Sequence, residues 1–183
     1  MATTRKKKKP APSNAQRLAQ VLAKLDATRP ADVEAFCDGL FKAVHARLLE
    51  VEEAEECVVF YVGSEGFERE VCEGGILQAF LRFPPESDIV AWACGAYRMF
   101  KRPKAAAVMK KAIALMKKEE PRILALAKRR GKAGVVAYAA YLAEGVFDAV
   151  DAEAQKHLTM SAKERLAVVR KHRKHFEELA EVV

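Results

Sequence analysis

The chain of 183 residues is short of several things, and each shortage excludes something. Threonine and isoleucine are scarce, while alanine, leucine, lysine and glutamate dominate, which favours helices over strands. There are only four serines, at Ser13, Ser64, Ser87 and Ser161, and none stands in a G-x-S-x-G turn. A serine hydrolase is thereby excluded as a reading. The four cysteines, Cys37, Cys57, Cys72 and Cys94, form no C-x-x-C pair and are flanked by apolar residues. They read as buried thiols of a reducing cytoplasm rather than as a disulfide framework. No run approaches the roughly 18 apolar residues of a membrane span. The N-terminus carries charge with no apolar h-region after it, so the expectation is a cytoplasmic chain with no membrane partner.

Recognisable chemistry is missing too. Gly131-Lys132-Ala133-Gly134 lacks the frame of a phosphate-cradling P-loop. Gly74-Gly75 lacks the preceding strand and third glycine of a dinucleotide site. His172 and His175 are spaced i, i+3, but zinc needs further ligands, and Arg170, Lys171, Arg173 and Lys174 surround them. They read as partly solvated histidines on a basic helix, and no metal is expected. No Glu-x-x-His pair exists for a di-iron bundle. Cys72 is a poor candidate nucleophile, because Glu70 and Glu73 beside it disfavour a thiolate. The carboxylates of Glu50 to Glu73 read as a solvated acidic face. The expectation is no enzyme and no cofactor.

What is present is helical periodicity. Ser13 and Gln16 stand in capping-box register before Leu18, Val21, Leu22 and Leu25, predicting a helix to about Ala27. Pro30 suits the first turn of the next, which carries Val33, Phe36, Cys37, Leu40, Phe41, Val44 and Leu48. The acidic run Glu50 to Glu56 reads as a solvated helical turn. Val58 to Val62 reads as buried helix rather than a partnerless strand. A short helix to Arg82 stops at Pro84-Pro85, and Ser87 or Asp88 caps the next. From Pro103, Val108, Met109, Ala112, Ile113 and Met116 share one side, and Lys104, Lys110, Lys111, Lys117 and Lys118 the other. Pro121 predicts a further helix, ending in Lys128, Arg129 and Arg130 near Gly131. Val135 to about Leu158 reads as a long apolar helix with a break near Gly145. Ser161 and Glu164 predict a final helix to about Glu181. With no period-2 alternation and no repeat, the fold class is all-α: one domain of seven to nine helices over residues 15–183.

Charge is distributed unevenly. Residues 1–14 hold Arg5, Lys6, Lys7, Lys8 and Lys9, two prolines and no acid, which predicts a disordered basic arm. Subtracting its five charges from the net +7 leaves +2 for the rest. Residues 26–73 carry 13 acidic and 4 basic residues, and residues 98–132 carry 13 basic and 2 acidic ones. Either the two segments pack side by side, the arrangement expected of a folded domain, or they face different partners. The arm and the lysine face offer polyanion contacts, so nucleic acid is a candidate partner beside protein. No aromatic residues interleave with those cations, as a single-strand platform requires.

The most motif-like stretch is Glu70-Val71-Cys72-Glu73-Gly74-Gly75-Ile76-Leu77-Gln78-Ala79-Phe80. Paired glycines join two helix-like runs. They permit positive φ and close helix approach, and Gln78 is placed to satisfy backbone groups exposed at the break.

From about Tyr61 to Phe176 the chain resembles the DMP-type family of bacterial DNA-mimic proteins, an all-α family. The resemblance rests on the pattern E-V-x-N-G-G-[FW]-x-Q-F-F, matched at Glu70, Val71, Gly74, Gly75, Gln78 and Phe80. Gly95-Ala96, Ala107 to Ala114 and Phe147 to Asp151 are similar to later elements. The chain departs at Glu73, Ile76 and Ala79, where the family favours Asn and aromatic residues. The resemblance implies a non-catalytic binding domain that mimics DNA with an acidic surface. This chain is net basic, so only residues 26–73 carry the acid that role needs. Two expectations follow: a non-catalytic protein-interaction domain, and, as the alternative, a non-specific nucleic-acid-associated protein.

Overall fold

A computed structural model describes residues 11–182. It is all-α. Among the described residues there are nine α-helices and no strand: α1 (Asn14–Leu22), α2 (Val33–Leu48), α3 (Glu56–Arg82), α4 (Asp88–Met99), α5 (Pro103–Ala127), α6 (Gly131–Ala143), α7 (Asp148–His157), α8 (Ala162–Lys171) and α9 (Arg173–Glu181). The basic residues Arg5 to Lys9 lie outside the described residues. Ser13 caps α1 with a complete capping box, so helical structure reaches into the stretch 1–14 assigned to the arm.

The helices bury two cores, and α3 belongs to both. In the first, Leu18, Leu22, Leu40 and Val44 of α1 and α2 meet Val58 and Tyr61 at the start of α3. Leu166, Val169, Phe176 and Leu179 of α8 and α9 close it. Tyr61 meets Phe176 edge to face at 5.5 Å. In the second, Phe67, Val71, Ile76 and Phe80 of α3 pack with α4, α5, α7 and Tyr141 of α6. Val58 to Val62 are helical, because the segment lies at the start of α3 against the first core.

Four boundaries differ from the sequence reading. The helix from Ser13 stops at Leu22 rather than Ala27, although Leu25 beyond it is fully buried. Residues 49–55 are not helical. Five of the seven residues from Glu50 to Glu56 are acidic, and like charges at helical spacing repel. Pro121 starts no new helix and lies inside α5. It removes one amide donor, but Pro121 and Lys117 are both on the exposed side, where water can serve the freed carbonyl. Burial of Ile123 holds the last turns in line. Finally, the last helix is two. His172, at φ −108° and ψ 19°, ends α8 and begins α9. The long apolar helix does break at Gly145, and α6 and α7 meet at 66°.

No single helix is long and apolar enough to cross a membrane. The acidic and basic segments do not pair: among the described residues no ion pair joins 26–73 to 98–132. The acids of the first segment pair with Arg29, Lys42, Arg47, Arg69, Arg82, Arg165 and Arg173 and lie near His175. Lys111 and Arg122 turn instead to Glu153 and Glu144.

Candidate functional site

The glycine joint is a kink inside α3. Gly74 leaves the helical region at φ −153° and ψ 15°, and Gly75 takes φ +79° with ψ −178°. Only Gly75 therefore needs the left-handed half of conformational space. Two clamps hold the kink. On one side, Glu70 before the joint receives Arg82 Nε at 3.0 Å and Gln78 Nε2 at 3.4 Å from beyond it. On the other, Asp151 of α7 accepts the backbone N–H of Ile76 at 2.6 Å. The backbone donor freed by the break is thus satisfied by Asp151, not by Gln78 as the sequence reading has it. Burial pushes the Asp151 carboxyl up from its ordinary value, against the Ile76 N–H, which pulls it down. Phe80 is buried against Phe67, with ring centroids 5.4 Å apart. Gly95 lets α4 approach α3 closely: a Cβ there would meet the Phe60 ring at 2.5 Å.

Behind the joint lies a buried charge cluster. Glu65 and Glu68 stand one turn apart on α3, and both face Arg165 of α8. Arg165 Nη2 donates to Glu68 Oε2 at 2.6 Å, and Nη1 lies 3.3 Å from Glu65 Oε2. Glu68 also accepts the Met160 N–H at 2.7 Å. All three side chains are buried. Burial pushes the Glu68 carboxyl up, with Arg165 and the Met160 N–H opposing it. Burial opposes the Arg165 charge, yet Glu68 and Glu65 overcome it and hold the guanidinium above its ordinary value. Arg69 extends the network to Asp38 of α2 at 2.8 Å and Glu65 at 2.8 Å. A cavity of about 680 Å³ opens here between α2, α3 and the residues before α8, reaching Cys72 and Glu73. The cluster's acids and cations answer one another across three helices. It braces α3 against α2 and α8. Burial pushes the Cys37 thiol up to about 11. The sequence reading missed Arg165, since an arginine early in a basic helix carries no pattern that marks it as buried.

The basic residues lie on the other side of the sequence. Lys104, Lys110, Lys117, Lys118, Lys128, Arg129 and Arg130 are exposed and make no ion pair among the described residues. Lys111 is exposed but held by Glu153 at 2.8 Å. They line the outer side of α5 and the turn into α6.

That turn leads to a feature that the sequence reading does not address. Residues of α6 read as part of a long apolar helix, and within it only Gly134 and Tyr141 are buried. Val135 is 70% exposed, Val136 59% and Leu142 50%, and Leu124 of α5 is 54% exposed. A helix apolar on all sides is ordinarily covered. Tyr141 is the main anchor, packed under Arg122, whose guanidinium stands 4.7 Å from the ring centroid. Arg122 in turn grips Glu144 at the end of α6. Lys128, Arg129 and Arg130 before α6 and Lys132 in its first turn are exposed cations.

No family model matches the chain, and it matches no curated protein and no solved structure.

Proposed function

We propose that this is a non-catalytic protein-interaction domain and that α6 is its docking element. The observation that carries the reading is the exposure of Val135, Val136 and Leu142 on a helix with almost no polar residue. Contiguous exposed apolar surface marks interaction sites in folded chains. Lys128, Arg129, Arg130 and Lys132, at the N-terminal end of α6, set the partner's chemistry: an apolar segment with acids at that end. DNA mimicry, which the family resemblance implies, has weaker support here. Seven of the 13 acids of 26–73 are taken up by arginines of the same fold.

The test uses the double variant Val135→Asp, Leu142→Asp. Both positions are exposed, so the fold should survive, as circular dichroism would register. A partner captured from the host, then purified and titrated, should bind the parent chain and the chain without residues 1–11. It should fail to bind the double variant. Equal affinity for parent and variant overturns the assignment to α6.

A second reading, non-specific nucleic-acid binding, is favoured by one observation. Seven exposed cations of α5 and the following turn make no ion pair among the described residues. Titration with duplex and single-stranded DNA at low and physiological salt tests it. Absence of binding even at low salt removes it. Binding that vanishes with residues 1–11 makes the lysine face irrelevant.

A further inference from the structure

The break at His172 gathers groups that the sequence holds far apart. Cys57 opens α3, His172 separates α8 from α9, and His175 lies in the first turn of α9. The Cys57 sulfur and one ring nitrogen of each histidine all lie within 4.8 Å of one another. The histidine rings stand 6.3 Å apart, centroid to centroid. Glu178 and Glu55 form a second group with His175. Their carboxylates are 3.3 and 3.9 Å from His175 Nδ1, which is buried and has no hydrogen-bond partner.

We propose that Cys57, His172 and His175 form a zinc site, with water as the fourth ligand. One thiolate and two imidazoles are the donor set that borderline-soft Zn²⁺ selects over hard cations. Tetrahedral bond lengths place such ligand atoms about 3.3–3.6 Å apart. The observed spacing closes to that by about an ångström of side-chain rotation. On binding, the Cys57 thiol gives its proton to solvent, and its sulfur takes the metal bond. No redox step is involved.

The cations beside the histidines do not forbid the ion. Arg173 is held by Asp26 and Glu177, each at 2.7 Å, and Lys174 by Glu178 at 3.3 Å. The carboxylates of Glu55 and Glu178 add negative potential where the metal would sit. A cleft of about 330 Å³, bordered by Glu53, Glu55, Glu56 and Glu178, reaches His175 and gives the ion an entry path. The site would tie the start of α3 to the junction of α8 and α9, all within the first core.

The experiment is titration of the full, chelator-stripped chain with Zn²⁺ against a competing dye, and with Co²⁺ as a spectroscopic stand-in. The expected result is a single tight site, a thiolate-to-cobalt charge-transfer band and a higher melting temperature with zinc. Cys57→Ser should abolish the band, and His175→Gln should weaken zinc binding by roughly tenfold or more. His175 is partly exposed, so that variant tests the site even if Cys57→Ser fails to fold. Cys72→Ser, at an exposed thiol away from the cluster, should change nothing. The proposal falls if the parent chain gives no band, if His175→Gln binds zinc as the parent does, or if the band follows Cys72.

Discussion

Asp151 and Ile76 are joined across 75 positions of chain by one hydrogen bond, carboxylate oxygen to backbone N–H, at 2.6 Å. It satisfies the donor that the kink in α3 leaves free, and it fixes α7 against that kink. Asp151→Ala strands a buried N–H and should destabilise the fold by about 1–3 kcal/mol. Asp151→Asn keeps an acceptor and should retain most of the stability. Chemical denaturation of both variants checks this. Equal loss in the two would mean that the charge, not the acceptor, matters.

The two glycines of the joint should respond differently. Gly75→Ala forces a side chain into φ +79° and brings its Cβ within 2.8 Å of the Asp151 carboxylate, with about 1–3 kcal/mol lost. The three atoms nearest a Cβ on Gly74 all belong to Gln78, its amide oxygen first. Adding Gln78→Ala should therefore recover part of the Gly74→Ala loss and none of the Gly75→Ala loss. A thermal-melt double-mutant cycle measures it. The valine forms of both variants should be worse than the alanine forms, and unchanged melting in both would refute the joint's structural role.

Arg165 is the keystone of the buried cluster. Arg165→Leu leaves Glu68 buried without its cation and Glu65 with Arg69 alone, which should cost about 3–5 kcal/mol. Replacing Glu65, Glu68 and Arg165 together with apolar residues of similar volume should cost much less, because the desolvation cost of all three charges disappears. Urea unfolding of the single and triple variants decides the matter.

The capping box of α8 predicts a pH dependence. The Ser161 N–H, followed by its hydroxyl, holds the Glu164 carboxyl below its ordinary value of 4.5. A group whose folded value is lowered adds stability above the unfolded value, and this is lost as pH falls through the folded one. Glu164→Gln keeps the hydrogen bonds without the titration. The parent should exceed it in melting temperature above pH 4.5, and the gap should close below. Ser161→Ala should cost about 1 kcal/mol near neutral pH.

The helices themselves were largely legible in the sequence, since apolar periodicity and two capping boxes mark most of them. At Pro121 tertiary contacts override a local signal, whereas at residues 49–55 the reading underweights the local repulsion of like charges. Pro121 normally ends a helix, but burial of Ile123 and the grip of Arg122 on Glu144 carry α5 past it. The joint was legible because two adjacent glycines between apolar runs have few other uses. Its true partner was not, because Asp151 is one acid among many, and only the fold sets it opposite Ile76. The same holds for Cys57, whose local neighbours give no hint of two histidines more than a hundred positions later.

The two cores are each stitched from distant parts of the chain, and this orders their assembly in time. At a synthesis rate of about 5–20 residues per second, Ile76 waits roughly 4–15 s for Asp151 to be made. Glu68 waits longer for Arg165, which lies 97 positions later. The first core is left open still longer, because Phe176 and Leu179 supply part of it. The earliest helices made thus belong to the last core completed. Until then a growing chain exposes Leu18, Leu40, Val44 and Val58, the surface that a nascent-chain chaperone would meet.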